Sequence, residues 1–279
     1  MRRSPVFLIT VLCFGFAFFY IPILSMMVYS FNGSRLATVW GGFSTKWYVS
    51  LLSNKQVIAA ALLSFKIAVV SATFATILGT MAGFALSRFR KFRGRTLFSG
   101  LVTAPLIMPE VITGISMLMF FILTANWIGW PGARGFSTIT LAHITFSMVF
   151  VTTIVQARLG QADRAIEEAA MDLGSRPWQV LWDVTLPTAF TAILSGWLLA
   201  FTISLDDVVI TSFTTGPGST TLPLLIWSKV KLGVTPDINA LATITVVVVG
   251  IGVALAGWVM HRAEKRRLAD ERMAFSSND

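Results

Sequence analysis

Residues 167–187 read EEAAMDLGSRPWQVLWDVTLP and form a polar insert between two apolar runs, 138–157 and 188–212. Each run approaches or exceeds the roughly 20 apolar residues that a membrane-crossing helix needs. The insert has a physical logic of its own. Asp163 to Leu173 is rich in Glu and Ala, which are good helix formers. Gly174 suits the left-handed residue that ends a helix. Ser175 is a candidate cap for the next helix, with Pro177 in its first turn, where a missing N–H costs nothing. Pro187 stands before the following apolar run. The pattern predicts two short helices with a bend at Gly174. Between Arg158 and Asp183 there are five acids and three bases. A rigid, slightly acidic knob of this kind fits a groove on another protein, and the small Ala169 and Ala170 permit close approach. The plain alternative is a loop that only joins two helices.

The rest of the chain is apolar. Of 279 residues, 55% are hydrophobic and 13% charged, with a mean hydropathy of +0.75. A soluble domain carries about 25% charged residues. The fold class expected is therefore an all-α integral membrane protein. Six spans are predicted, at about 6–30, 57–87, 97–124, 138–157, 188–212 and 237–260. The first begins after Arg2 and Arg3, runs longer than a signal-peptide core and is followed by no small-x-small cleavage site, so it reads as an uncleaved span. The single cysteine, Cys13, excludes an internal disulfide and a cysteine zinc site.

The net charge of +9 raises the question of nucleic acid, but the positions of the bases answer it. With the N-terminus inside, fifteen Lys and Arg fall on the inner side and six on the outer. The inner set is Arg2 and Arg3, the run from Arg88 to Arg95, Arg158, Arg164 and Arg176, and the tail from Arg262 to Arg272. Both termini and the 158–187 loop are then expected in the cytoplasm, in one transmembrane domain covering 1–279, with a basic helical tail at 261–279. No nucleic-acid partner is implied. Trp40, Trp47, Tyr48, Trp127 and Trp130 fall in outward loops, as interface anchors do. The turn-rich stretch 213–236 is expected to form a re-entrant or interfacial element. Gly79 and Gly83 make a small-xxx-small pair for close helix packing. There is no G-x-x-x-x-G-K-[ST] phosphate loop, so this chain carries no such ATPase site.

Ionisable groups inside spans are costly and mark function. Glu110 follows Pro109 near the middle of the expected third span, and Asp206 and Asp207 lie in the outer part of the fifth. Lys66, in the second, is the single base set against three acids. An electronegative bundle suits a cationic solute, because Coulomb attraction grows as the effective dielectric falls. Glu110, Asp206 and Asp207 are the candidate substrate-path residues. A Lys66–carboxylate pair that only ties helices together is the structural alternative. His143, alone at the start of the fourth span, reads as a helix-packing hydrogen bonder. No catalytic constellation and no metal cluster is present in the pattern.

Glu168-Ala169-Ala170, three residues, Gly174, nine residues, Val184, one residue and Leu186-Pro187 reproduce the spacing of the EAA loop of binding-protein-dependent transport permeases. Three further stretches resemble the polyamine (putrescine/spermidine) permeases, and among them the second membrane subunit. They are SFNGSRLATVWGGFSTKWY at 30–48, TAPLIMPEVITGISML at 103–118 and SLDDVVITSFTTGPGSTTLPLLIWSKVKLGVTPDINALATI at 204–244. The resemblance implies a type I ABC importer permease fold in a bacterial inner membrane, with no catalytic role for this chain. It implies a homologous permease as heterodimer partner, two ATPase subunits that hold ATP and Mg, and a periplasmic polyamine-binding protein. It puts Glu168, Ala169, Ala170, Asp172, Gly174, Leu186 and Pro187 at ATPase-coupling positions. An importer of another small solute and, further off, an ATPase-independent channel or scaffold are the competing readings.

Overall fold

In the computed structural model, residues 5–35, 39–89, 91–233 and 235–276 are described. Arg2, Arg3 and Arg90 of the inward charge count, and the last three residues of the tail, lie outside them. The described residues form helices α1 (Pro5–Tyr29), α2 (Lys46–Ser53), α3 (Lys55–Arg88), α4 (Arg95–Ile107), α5 (Glu110–Ile128), α6 (Phe136–Gln161), α7 (Ala165–Asp172), α8 (Pro177–Val180), α9 (Leu186–Asp206), α10 (Val209–Thr214), α11 (Leu222–Leu232) and α12 (Pro236–Ser276). Among the described residues, six helical segments are long and apolar enough to cross a membrane.

The third span is shorter than 97–124. The helix breaks at Met108, whose backbone is extended (φ −78°, ψ 135°). Pro109 forces this, since the residue before a proline is driven out of the helical region and the proline supplies no N–H. The span is therefore Glu110–Ile128, and Arg95–Ile107 is a separate, shorter apolar helix. Glu110 is thus not a mid-span residue but the first residue of its helix, where a carboxylate meets the positive end of the helix dipole. The fifth span is longer than expected, Pro177–Asp206. Its second proline does not break it. A π-helical turn at Leu181–Thr185 takes up Pro187, with the Leu186 N–H donating to the Leu181 carbonyl five residues back. The second short helix expected after Gly174 is hence the start of the fifth span.

The chain divides into two compact units. One comprises 1–59 and 225–256. Among its described residues, a hydrogen-bond network after α1 is built around buried Asn32. The Asn32 Oδ1 accepts N–H groups from Ser34 (3.0 Å) and Gly41 (2.8 Å), and its Nδ2 donates to the Val39 carbonyl (2.8 Å). Trp47 Nε1 donates to the Asn32 carbonyl, and the Tyr48 hydroxyl bonds to Ser30. Trp47 and Tyr48 therefore brace this loop, whereas Trp40 is exposed. An ion pair joins Lys229 to Asp237 at 3.0 Å.

The other unit, 60–224 with 257–279, holds a core centred on α6. Ala72, Ala75, Val151, Val155, Leu159, Ala189 and Ala200 form one cluster; Phe121, Ala142, Phe146 and Ile210 form a second. Small residues let the helices touch. A Cβ on Gly79 would stand 2.7 Å from the Val151 Cβ, and one on Gly83 would stand 2.9 Å from the Thr152 carbonyl oxygen. The two glycines form the α3–α6 crossing that their spacing had indicated.

Candidate functional site

The 158–187 loop is held by a few polar bonds. Asp163 Oδ1 accepts the Ala165 N–H at 3.0 Å at the start of α7. Gly174 has φ +91°, and the Ser175 N–H reaches back to the Ala170 carbonyl at 3.1 Å, so the left-handed end of α7 forms as its sequence demands. Ser175 does not cap the next helix. Arg176 has the extended backbone that precedes Pro177 (φ −71°, ψ 151°), and its N–H donates to Gln179 Oε1 at 2.8 Å. Glu168, Ala169, Asp172, Gly174 and Pro187 are exposed, while Ala170 and Leu186 are half-buried. Leu173, beside the bend, is 89% exposed. No residue of α7 is buried.

Three residues of this region form a cluster that the local sequence pattern does not mark. Arg88, at the end of α3, donates to Glu167 Oε1 from Nη2 at 2.8 Å and from Nε at 3.1 Å. Thr185 donates its hydroxyl to the same oxygen at 2.9 Å. Glu167 precedes the EAA triplet, and its neighbour Glu168 carried the motif. A base at the end of a long apolar run and an acid in a polar insert were the available signals.

The acids of the apolar spans converge. Asp206 lies within Coulombic range of both Asp207 and Glu110, although Glu110 is about a hundred residues away in the chain. α9 ends at Asp206, and Asp207 is extended (φ −64°, ψ 129°). The Asp207 carboxylate caps α10, accepting the N–H groups of Ile210 at 3.2 Å and Thr211 at 2.7 Å and the Thr211 hydroxyl at 2.7 Å. His143 Nε2 is 3.2 Å from the Asp207 carboxylate. The His143 Nδ1 is 2.7 Å from the Ser204 hydroxyl, which accepts a bond from Ser71. His143 thus bonds helices together, in α6, as its lone position had indicated. Glu110 and Asp206 are exposed. Among the described residues Lys66 forms no ion pair with any of the three acids, so the Lys66–carboxylate tie is absent. An electronegative cluster at the α5 N-terminus and the α9–α10 break can attract a cation.

An apolar bundle carrying such a loop has well-defined relatives. Residues 75–268 match the family described as binding-protein-dependent transport system inner membrane component. The chain belongs to this family. It is 52% identical over 272 residues to the putrescine transport system permease protein PotI of Escherichia coli (strain K12), covering 98% of this chain and 96% of that protein. It is 44% identical over 232 residues to the spermidine/putrescine transport system permease protein PotC of the same strain, covering 83% and 85%. Among solved structures, a bacterial ABC transporter that imports the acidic polysaccharide alginate superposes with a TM-score of 0.75 at 17% identity, over 92% of this chain and 94% of the other. The MetNI methionine ABC transporter in an inward-facing form superposes with a TM-score of 0.61 at 16% identity, over 80% and 99%. These two likenesses establish the fold, that of ABC importer permeases. This family member is a multi-pass inner-membrane transport component rather than an enzyme, and works with other permease, ATPase and binding-protein subunits.

Proposed function

We propose that this permease translocates polyamines, putrescine or spermidine, as one half of a heterodimer with a homologous permease. Two ATPase subunits bind ATP and Mg below it, and a periplasmic binding protein delivers the solute. The observation that carries the substrate is the 52% identity to a putrescine permease along 98% of the chain. The exposed Glu110 and Asp206 support it, because a polyamine carries two or more positive charges near neutral pH and carboxylates replace part of its hydration. The 158–187 loop is the ATPase-docking element. The end of α7 at the Gly174 bend leaves Leu173 exposed next to Asp172, with Glu168 exposed one turn earlier, an apolar tip on a short acidic helix that suits a partner groove. Closure of the ATPases on ATP drives this knob and opens the path toward the binding protein, and hydrolysis resets it. The distribution of bases supports a cytoplasmic N-terminus, C-terminus and docking loop.

The deciding experiment is uptake into proteoliposomes holding the full transporter. Labelled putrescine or spermidine enters only with ATP and the binding protein, and neither a neutral nor an anionic solute of similar size does. Equal uptake of all three solutes would defeat the polyamine reading.

A further inference from the structure

We propose that Arg88, Glu167 and Thr185 form the clamp that passes movement of the docking loop to helices α3 and α9, with Glu167 as a positioning residue for transport. This rests on the reading of 158–187 as the ATPase-docking loop. One carboxylate oxygen, Glu167 Oε1, holds three donors: Arg88 Nη2 at 2.8 Å, Arg88 Nε at 3.1 Å and the Thr185 hydroxyl at 2.9 Å. Arg88 is the last residue of α3, and its Nη1 also donates to the Leu159 carbonyl of α6 at 2.7 Å. Thr185 closes the π-helical turn that leads into α9. A single carboxylate therefore joins the first turn of α7 to the inner ends of α3 and α9, and through Arg88 to α6.

The packing leaves α7 few other attachments. None of its residues is fully buried, and only Glu167 and Ala170 are half-buried. Arg164, just before it, adds one bond to the Ser87 carbonyl at 2.6 Å. A half-open cleft of about 190 Å³, lined by Ser87, Arg88, Gln156, Gly160 and Arg164, lies beside the clamp. The clamp itself is firm. The Arg88 and Glu167 side chains are only 8% and 15% exposed, and Thr185 is 2% exposed. A shielded ion pair keeps its geometry because loss of either partner strands a charge away from water. The docking helix is held to the bundle mainly by polar bonds, and the shielded clamp is the stiffest of them, so displacement of α7 passes through it to α3 and α9.

The test uses the complete transporter, with both permeases, the ATPases and the binding protein, in proteoliposomes. Three quantities are read: ATPase retained on the purified complex, ATP hydrolysis, and polyamine uptake per ATP hydrolysed. Thr185→Val removes one donor without changing charge, and Glu167→Gln weakens the Arg88 bonds. Both should retain the ATPases while uptake per ATP falls about tenfold, the scale of a lost hydrogen bond to a charged group. Thr185→Ser should restore the parental ratio. A purely structural role would lower assembly, hydrolysis and uptake together at constant ratio. An unchanged ratio in assembled Thr185→Val overturns the clamp, whatever becomes of Glu167→Gln. Leu173→Glu separates the two ideas. If it fails to release the ATPases, the docking reading falls. If it releases them while the Thr185 and Glu167 variants keep the parental ratio, the clamp alone falls.

Discussion

His143 Nε2 lies 3.2 Å from the Asp207 carboxylate, on the oxygen that also accepts the Thr211 N–H and hydroxyl, both at 2.7 Å. This places Asp207 in the scaffold: it closes the break between α9 and α10 and ties both to α6. Asp207→Asn would turn an amide toward donors that need an acceptor. His143→Phe would take one partner each from the Ser204 hydroxyl and the Asp207 carboxylate and cut the tie to α6. Each should cost about 1–3 kcal/mol, the desolvation penalty of an unsatisfied buried group. A lowered melting temperature of the detergent-purified permease is the expected reading. Unchanged melting in both variants would remove the scaffold role.

The α3–α6 crossing makes a second prediction. A Cβ at Gly79 would meet the Val151 Cβ at 2.7 Å and the Met148 carbonyl oxygen at 2.8 Å, both on the neighbouring helix. Gly79→Ala should push the helices apart and cost about 1–3 kcal/mol, as overpacking does. Gly100→Ala, in α4, meets nothing within 4 Å and should be neutral or slightly stabilising, since Ala is the better helix former. Melting temperatures of the two variants side by side decide the matter. Equal values would mean that the crossing is looser than the geometry requires.

Gly174 separates backbone from contact effects. Nothing lies within 4 Å of a Cβ there, yet φ is +91°. A substitution acts through conformation alone. Gly174→Val should strain the turn by about 1–2 kcal/mol or more, misalign α7 and reduce the ATPase recovered with the permease. Gly174→Asn, which tolerates the left-handed region, should keep most of it. Equal recovery from both variants would show that the bend is not required for docking.

Topology is open to a direct check. A reporter fused after residue 272 should be active only in the cytoplasm, and one inserted near Gly132 only outside. Activity of either reporter on the opposite side would refute the orientation drawn from fifteen inner and six outer bases.

Much of this was legible in the sequence, for physical reasons. Span number follows from length and hydropathy, and the α7 terminus follows from Gly174, because both depend on local chemistry. Two element limits were misread where proline acts differently by context. Pro109 breaks a helix that hydropathy alone would continue. Pro187 does not break one, because a π-helical turn absorbs it. The Arg88–Glu167 pair joins residues 79 apart in sequence, and no local pattern reports such a distance. The nearness of Glu110 to Asp206 was hidden for the same reason.

The acids provide the last prediction, which the structure sharpens. The three candidate path carboxylates, Glu110, Asp206 and Asp207, are not equivalent. Asp207 is occupied by His143, Ile210 and Thr211. Glu110 and Asp206 are exposed and lie within Coulombic range of each other. Two like charges held near one another repel, and that repulsion is relieved when a multivalent cation passes. Glu110→Gln and Asp206→Asn keep size and hydrogen bonding while removing charge. Each should reduce polyamine uptake several-fold with ATPase docking and melting temperature unchanged, and the double variant should reduce it further. Asp207→Asn should instead lower stability first. Raised salt should weaken uptake by the parent more than by the double variant, because screening acts only on charges that remain. Parental uptake in Glu110→Gln, Asp206→Asn and the double variant would show that these acids do not steer the solute, leaving sequence likeness as the sole support for a cationic cargo.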